Sequence, residues 1–241
     1  GSSWYYYKNG SRQTGWVMDG SWYYLDGSGV MQTGWVYDGS AWYNLSDSGA
    51  WTGEEQPNVT IVGSPTLSKS AFVSKAAAVF AASGSTYPSS DLSAGGASSI
   101  EQFCTQLYEE AVDEGVRPEL VFCQSMLETG WLRFGGQVKI GQFNFAGIGA
   151  VDGGTTAASF GSVREGLRAQ VQHLKAYAVP GVTTSSLAHG CVDPRFSLVT
   201  KGSAPYVQWL GIKENPEGRG WATSRYYGIR LVNLMSAYFG L

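Results

Sequence analysis

Between Trp4 and Trp51 the chain repeats itself. Thr14-Gly15-Trp16-Val17 returns as Thr33-Gly34-Trp35-Val36, Asp19-Gly20-Ser21 as Asp38-Gly39-Ser40, Trp22 as Trp42 and Gly29 as Gly49, an offset of 19 residues that becomes 20 after the extra Ala41. A period near twenty signals stacked units that cannot bury their apolar faces alone. Within each unit Asp-Gly separates two short runs of aromatic and β-branched residues. That is the composition of a β-hairpin closed by a type I′ turn, whose two central residues both need positive φ. Residues 1–53 are therefore expected to form a β-hairpin repeat module, a thin solenoid. The array opens mid-repeat at Trp4-Tyr5-Tyr6-Tyr7, so more units are expected in the natural protein.

After Trp51-Thr52-Gly53 the pattern stops. Residues 54–65 are polar and carry Pro57, Gly63 and Pro65, the grammar of a linker. From Thr66 to Leu241 the apolar period becomes helical. Phe72, Ala76, Val79 and Phe80 share one face of a helix that stops at Gly84. Ser98-Ser99-Ile100-Glu101 reads as a capping box opening a helix that ends at Gly115, and Pro118 suits the first turn of the next, which ends at Thr129-Gly130. Ser162 and Glu165 form a second capping box, and a last helix spans Ile229 to Phe239. The reading is a mainly α domain over residues 66–241, with a small polar or β-rich insertion between Phe134 and Phe160.

Composition narrows the function. Only 15% of the 241 residues are charged, the formal net charge is -3, and no basic run occurs, which argues against nucleic acid as a partner. The longest nearly apolar run, Ala76 to Ala82, is too short to cross a bilayer. The two histidines, His173 and His189, lack metal-ligand spacing, so no metal or other cofactor is expected and a zinc amidase is disfavoured. Cys104, Cys123 and Cys191 are expected as buried free thiols, and Cys123 sits mid-helix in an apolar stretch, a poor setting for a nucleophilic thiolate.

Glu128 is the carboxylate that stands out. It lies in the last turn of its helix, where unpaired carbonyls disfavour negative charge and raise the pKa of an acid. A carboxyl that keeps its proton near neutrality suits general acid catalysis of glycoside cleavage. A structural role, such as pairing with Arg133, fits the spacing equally well.

Several motifs together carry a resemblance. Glu128-Thr129-Gly130-Trp131, then Phe145-Ala146-Gly147-Ile148-Gly149-Ala150, Phe160, Gln172-His173-Leu174-Lys175-Ala176-Tyr177, Asp193-Pro194-Arg195-Phe196 and the Trp221 to Gly228 stretch resemble the catalytic domain of glycoside hydrolase family 73. These are bacterial endo-β-N-acetylglucosaminidases. The resemblance implies a lysozyme-like helical fold with a cleft and hydrolysis of the β-1,4 bond after N-acetylglucosamine in peptidoglycan strands. It implies Glu128 as general acid and Tyr227 as a tyrosine facing the cleft. Many members carry a second Glu in a mobile lobe; here Ala150 to Ser159 holds only Asp152, the candidate base or acetamido-steadying group. Glu165 is explained by its capping role. Candidate sugar platforms are Trp131, Phe145, Trp221 and Tyr227, with Gln124, one turn before Glu128, and Asn144 as hydrogen-bonding partners. Substrate assistance by the sugar's own acetamido oxygen is the mechanistic alternative.

The hairpin array, through its Gly-Trp and Trp-Tyr-Tyr-Leu segments, resembles choline-binding or cell-wall-binding repeats. That implies aromatic cages for a quaternary ammonium or another wall polymer, one from Trp16, Trp22 and Tyr43 and an incomplete one from Trp35 and Trp42. Tether plus cutter suggests a secreted, wall-associated hydrolase. A non-catalytic wall-binding protein, or a muramidase or lytic transglycosylase on the same fold, are the alternatives.

Overall fold

The computed structural model describes residues 3–150 and 157–241. The chain forms two compact units, Gly1–Asn58 and Val59–Leu241.

The first unit is a succession of antiparallel hairpins. Strands β1 (Tyr7–Lys8) and β2 (Ser11–Arg12) pair, as do β3 (Gly15–Met18) and β4 (Trp22–Leu25), while β5 (Gly34–Tyr37), β6 (Ala41–Leu45) and β7 (Trp51–Pro57) form a three-stranded sheet. Isolated bridges Leu25 to Met31 and Tyr23 to Ala50 join one hairpin to the next. The turns differ from the sequence expectation. Positive φ at both central residues is found at Asn9-Gly10, between β1 and β2, but at Asp19-Gly20 and Asp38-Gly39 only the glycine adopts it. The aspartate takes another route: Asp38 Oδ1 accepts the backbone N–H groups of Ser40 (2.9 Å) and Ala41 (3.2 Å), closing the turn through its side chain. The expected linker is also corrected. Glu54 to Pro57 continue β7 against β6, and Thr60 and Val62 bridge to Tyr206 and Val116 within the second unit.

The second unit is largely helical: α1 (Lys69–Ala82), α2 (Ser89–Leu92), α3 (Ile100–Glu114), α4 (Pro118–Thr129), α5 (Val163–Ala178) and α6 (Tyr227–Phe239). Three boundaries follow their capping residues. Ser68 caps α1, Ser162 caps α5 with Glu165 reaching back to the Gly161 N–H, and α3 starts one residue later than expected because Ser99, not Ser98, accepts the Gln102 N–H. Helix α4 is buried along almost its whole length and so forms the centre of the unit. Its own Phe122 is fully buried, as are Phe72, Phe103 and Phe145 of the surrounding segments, and the Phe72 and Phe239 rings stack at 5.4 Å. Glu110 of α3, also buried, is held by Arg164 (3.0 Å) and Arg168 (2.8 Å) of α5, so a charge that would be costly alone ties two helices together.

Two further expectations need correction. The segment between Phe134 and Phe160 contains no strand among its described residues, only a short 3-10 turn at Ile140–Gln142. Hydrogen bonds from Asn144 organise it instead of a β-ladder. All three cysteines are free, but Cys191 is exposed rather than buried.

Candidate active site

Helix α4 ends at Glu128-Thr129, and the chain then enters a strained turn. Gly130, Trp131 and Leu132 are consecutive left-handed residues, with φ of 58°, 63° and 59°. For glycine this is free; for Trp131 and Leu132 it costs about 1–2 kcal/mol each. The turn is pinned by the Trp131 N–H donating to Met126 O (2.8 Å) and the Leu132 N–H donating to Thr129 Oγ1 (2.9 Å), while the Thr129 hydroxyl donates to Ser125 O (2.6 Å). Backbone strain of this kind is held in place by its surroundings and concentrates where function needs it.

Glu128 stands on the floor of a groove of about 320 Å³, lined also by Gly130, Phe134, Val138, Asn144 and Gly147. As a residue it is exposed, yet burial is the largest influence on its carboxyl and raises its pKa, against the lowering effects of the Tyr227 hydrogen bond and the Arg230 charge. The two observations agree for a carboxyl deep in an open groove, shielded by walls rather than sealed in a core. No ion pair to Glu128 occurs among the described residues; Arg133 instead donates from Nε to Gly130 O (2.9 Å). Across the groove Gly147 has φ +67°, and a Cβ there would lie 3.9 Å from Glu128 Oε2. Its lack of a side chain keeps open the space in front of that oxygen.

Tyr227 is the first residue of α6. The helix can approach so closely because the next residue is Gly228, where a Cβ would meet Val207 O at 2.1 Å. Glu214 fixes the entry by accepting the Tyr226 N–H (2.9 Å), with Tyr226 itself left-handed at φ 60°. The Tyr227 ring is buried and its hydroxyl donates to Glu128 Oε1 at 2.5 Å. Burial, then the neighbouring Glu128 charge, raises its pKa well above the ordinary value, so it is a neutral donor at any working pH. The tyrosine expected to face the cleft as a sugar platform is instead buried outside the groove lining, and it reaches the groove through its bond to Glu128.

The other expected groove residues are distributed differently. Gln124 is fully buried and donates to the Tyr227 oxygen (3.1 Å), so it supports Tyr227 and does not face substrate. Phe145 is also fully buried, packed edge-on against Phe103 at 5.0 Å. The left-handed turn aims Trp131 at Phe80 and Tyr238 (6.3 and 5.9 Å), among the core aromatics. Trp221 packs on the His173 ring at 4.7 Å. Asn144 does line the groove, but its amide is spent on its own loop, donating to Ile148 O and Ala158 O and accepting the Ile148 N–H. Asp152 lies outside the described residues. Sequence reasoning missed Gln170, which bonds Gln124, and the buried pair of His173 Nδ1 with Asp193 Oδ2 (2.7 Å). The i, i+4 periodicity of α5 marks the apolar residues near Gln170 but carries no sign of its partner.

In the hairpin unit, Trp16, Trp22, Tyr43 and Trp51 line a groove of about 280 Å³. Trp16 meets Tyr43 edge-on at 4.9 Å and Trp51 at 6.3 Å. Three of these rings were expected; Trp51 was not, although the 20-residue offset that carries Gly29 to Gly49 carries Met31 to Trp51. The Trp16 indole N–H donates to Asp38 Oδ2 (3.0 Å). Burial pushes the Asp38 carboxyl up, but hydrogen bonds from Ser40, Trp16 and the Ser40 and Ala41 backbone outweigh it and hold the pKa at about 2. Trp42 is a correction: it is buried against Tyr37 at 5.2 Å and belongs to the hairpin core. Trp35 lies half-buried on β5 opposite Asn44.

Residues 104–239 match the family described as Glucosaminidase, mannosyl-glycoprotein endo-beta-N-acetylglucosaminidase. An uncharacterized protein of Borreliella burgdorferi is 39% identical over 127 residues, covering 53% of this chain and 57% of its own length. The chain thus spans little more than half of that relative. Among the described residues no cluster of three or more His, Cys, Asp or Glu has the arrangement of a metal site, and no helix is long and apolar enough to cross a membrane.

Proposed function

Because the chain belongs to the glucosaminidase family, glycoside hydrolase family 73, and is therefore a glycosidase, we propose that it cleaves the β-1,4 bond after N-acetylglucosamine in peptidoglycan, with Glu128 as general acid. One observation carries the reading: a carboxyl with a raised pKa on the floor of an open groove, bonded on one oxygen by a neutral tyrosine and, among the described residues, without a hydrogen-bond partner on the other. In the reaction the Glu128 proton passes to the glycosidic oxygen as the bond from that oxygen to C1 breaks, and positive charge spreads over C1 and the ring oxygen. Glu128 is left as a carboxylate. Tyr227 and Arg230, which both favour its charged form, stabilise that product state.

Glu128 is the one carboxylate among the described residues that line the groove. Attack at C1 is then made by water activated by Asp152, or by the substrate's own acetamido oxygen. Tight inhibition by an N-acetylglucosamine thiazoline marks the second route, and none the first. An exposed arginine beside the acid also suits a polymer that carries carboxylates. Such a substrate lies outside the cell membrane, so the protein is proposed to act there.

The four-ring groove of the hairpin unit is proposed as the anchor, holding a quaternary ammonium such as choline by cation-π attraction worth about 2 kcal/mol or more when desolvated. The ionised Asp38 bonded to Trp16 adds negative charge close to it. Retention of the chain on choline-agarose, lost in Trp16→Ala, is the expected result; retention unaffected by that change would reject the site.

Mass spectrometry of digested peptidoglycan tests the chemistry. Reducing N-acetylglucosamine ends, absent with Glu128→Gln, are expected. Reducing N-acetylmuramic acid would make it a muramidase, anhydro ends a lytic transglycosylase, and no product a binding protein.

A further inference from the structure

Behind Glu128 lies a buried chain of polar side chains that has a single direction. Gln170 of α5 donates from Nε2 to Val121 O (3.2 Å) and to Gln124 Oε1 (3.0 Å), and its Oε1 lies 2.9 Å from the Ser125 hydroxyl, whose single hydrogen it shares with Val121 O (2.8 Å). Gln124 donates from Nε2 to the Tyr227 oxygen (3.1 Å), and Tyr227 donates to Glu128 Oε1 (2.5 Å). Gln124, Ser125 and Gln170 are fully buried and Tyr227 is 3% exposed, so water does not offer alternative partners.

The direction is fixed at the far end. A main-chain carbonyl only accepts, so Val121 O requires the nitrogen of Gln170 to face it. Gln170 must then present N–H to Gln124, which presents its oxygen in return and its nitrogen to Tyr227. The phenol oxygen already receives a hydrogen bond, and Glu128 Oε1 is the acceptor that its own hydrogen meets among the described residues. Oε1 is thereby committed to accepting.

We propose that Gln124 and Gln170 are positioning residues that decide which oxygen of Glu128 carries its proton: Oε1 is held as an acceptor, and the proton rides on Oε2, facing Gly147 and the open groove. This rests on the reading of Glu128 as the acid and adds the atom from which the proton leaves. The groups that bear on the Glu128 charge are Tyr227 and Arg230 of α6; the rest of the described groove lining, from the turn after α4 and the 144–150 loop, is uncharged. A phenol that accepts a hydrogen bond is also a better donor, so each link strengthens the bond to Oε1.

The test is a graded series, Gln170→Met, Gln124→Met and Tyr227→Phe, assayed on peptidoglycan fragments across pH. Weakening the donation to Oε1 destabilises the Glu128 carboxylate, so the alkaline limb of kcat moves to higher pH. The movement grows from Gln170→Met to Gln124→Met to Tyr227→Phe, with kcat for Gln124→Met down by roughly tenfold, less than the roughly 10²–10⁴-fold of a whole general acid, and KM little changed. A purely structural role lowers Tm but leaves the limb in place; an unmoved limb with kcat within twofold of wild type in Gln124→Met overturns the proposal. Should Gln124→Met fail to fold, the carbonyl stretch of protonated Glu128 decides: it rises in Tyr227→Phe if Oε1 accepts, and stays put if the proposal is wrong. Glu128→Gln separates the two levels. Full activity there sinks the acid assignment itself, whereas an inactive Glu128→Gln beside an unaltered Gln124→Met sinks the relay alone.

Discussion

Thr129 is the residue through which stability and the site meet. Its hydroxyl oxygen is the acceptor for the buried Leu132 N–H at 2.9 Å, and its hydrogen goes to Ser125 O at 2.6 Å. Thr129→Val keeps the shape and removes both bonds. The orphaned Leu132 N–H costs about 1–3 kcal/mol, and Ser125 O still has its helical partner, so about 2 kcal/mol is the expected loss. A domain of this size loses roughly 2–4 °C of Tm per kcal/mol, giving a fall of about 4–8 °C by calorimetry. The left-handed turn at Trp131-Leu132 stores a comparable energy and loses one of the two bonds that pin it, so it shifts toward a relaxed backbone. Glu128 sits immediately before it. A displacement of about 1 Å there can cost up to 10²-fold, so kcat should fall by at least tenfold while KM holds. Wild-type Tm and full activity in Thr129→Val would show that neither the turn nor the acid depends on this hydroxyl.

Gly147→Ala places a methyl about 3.9 Å from Glu128 Oε2 at a φ of +67° that L-residues avoid; strain of about 1–2 kcal/mol and a narrower groove should lower kcat/KM by at least tenfold with a small change in Tm, and unchanged kinetics would remove the proposed proton path past this residue. Asp38 behaves in the opposite sense to Glu128. Its folded pKa, about 2, lies below the unfolded value, so its contribution is full above the ordinary carboxylate range and is lost as pH falls through about 2. Tryptophan fluorescence of the hairpin groove should therefore change between about pH 4 and 2 in the wild type. Asp38→Asn should flatten that transition, and an identical transition in the variant would reject the linkage.

Much of the helical unit was legible because its boundaries are written in side chains that act locally. Pro118 and Gly130 delimit α4 and so put Glu128 in a last turn, and Ser162 with Glu165 opens α5. The hairpins themselves were equally plain, but not their turn type: Asp-Gly permits a type I′ turn without requiring it, and the Asp38 carboxylate closes the turn instead. What sequence did not reveal is which way a ring points. Trp131 and Phe145 adjoin the acid and the glycine-rich loop, yet a left-handed φ at 131 turns one ring toward Phe80 and Tyr238, and close packing on Phe103 buries the other. Gln124 shares a helical face with Glu128, as its spacing implied. That its partner is Tyr227, 103 residues away, is a property of how α6 packs on α4.

The proton on Glu128 is the most direct point of attack on the whole account. Wild-type protein carrying ¹³C-labelled glutamate side chains, compared with Glu128→Gln, isolates this carboxyl in an NMR pH titration. An ordinary glutamate titrates near pH 4.3. Burial on the groove floor predicts that the Glu128 resonance titrates above the ordinary glutamate value and in step with the alkaline limb of peptidoglycan hydrolysis. A resonance that titrates at or below the ordinary value, with hydrolysis undiminished above it, would contradict the claim that this residue supplies the proton.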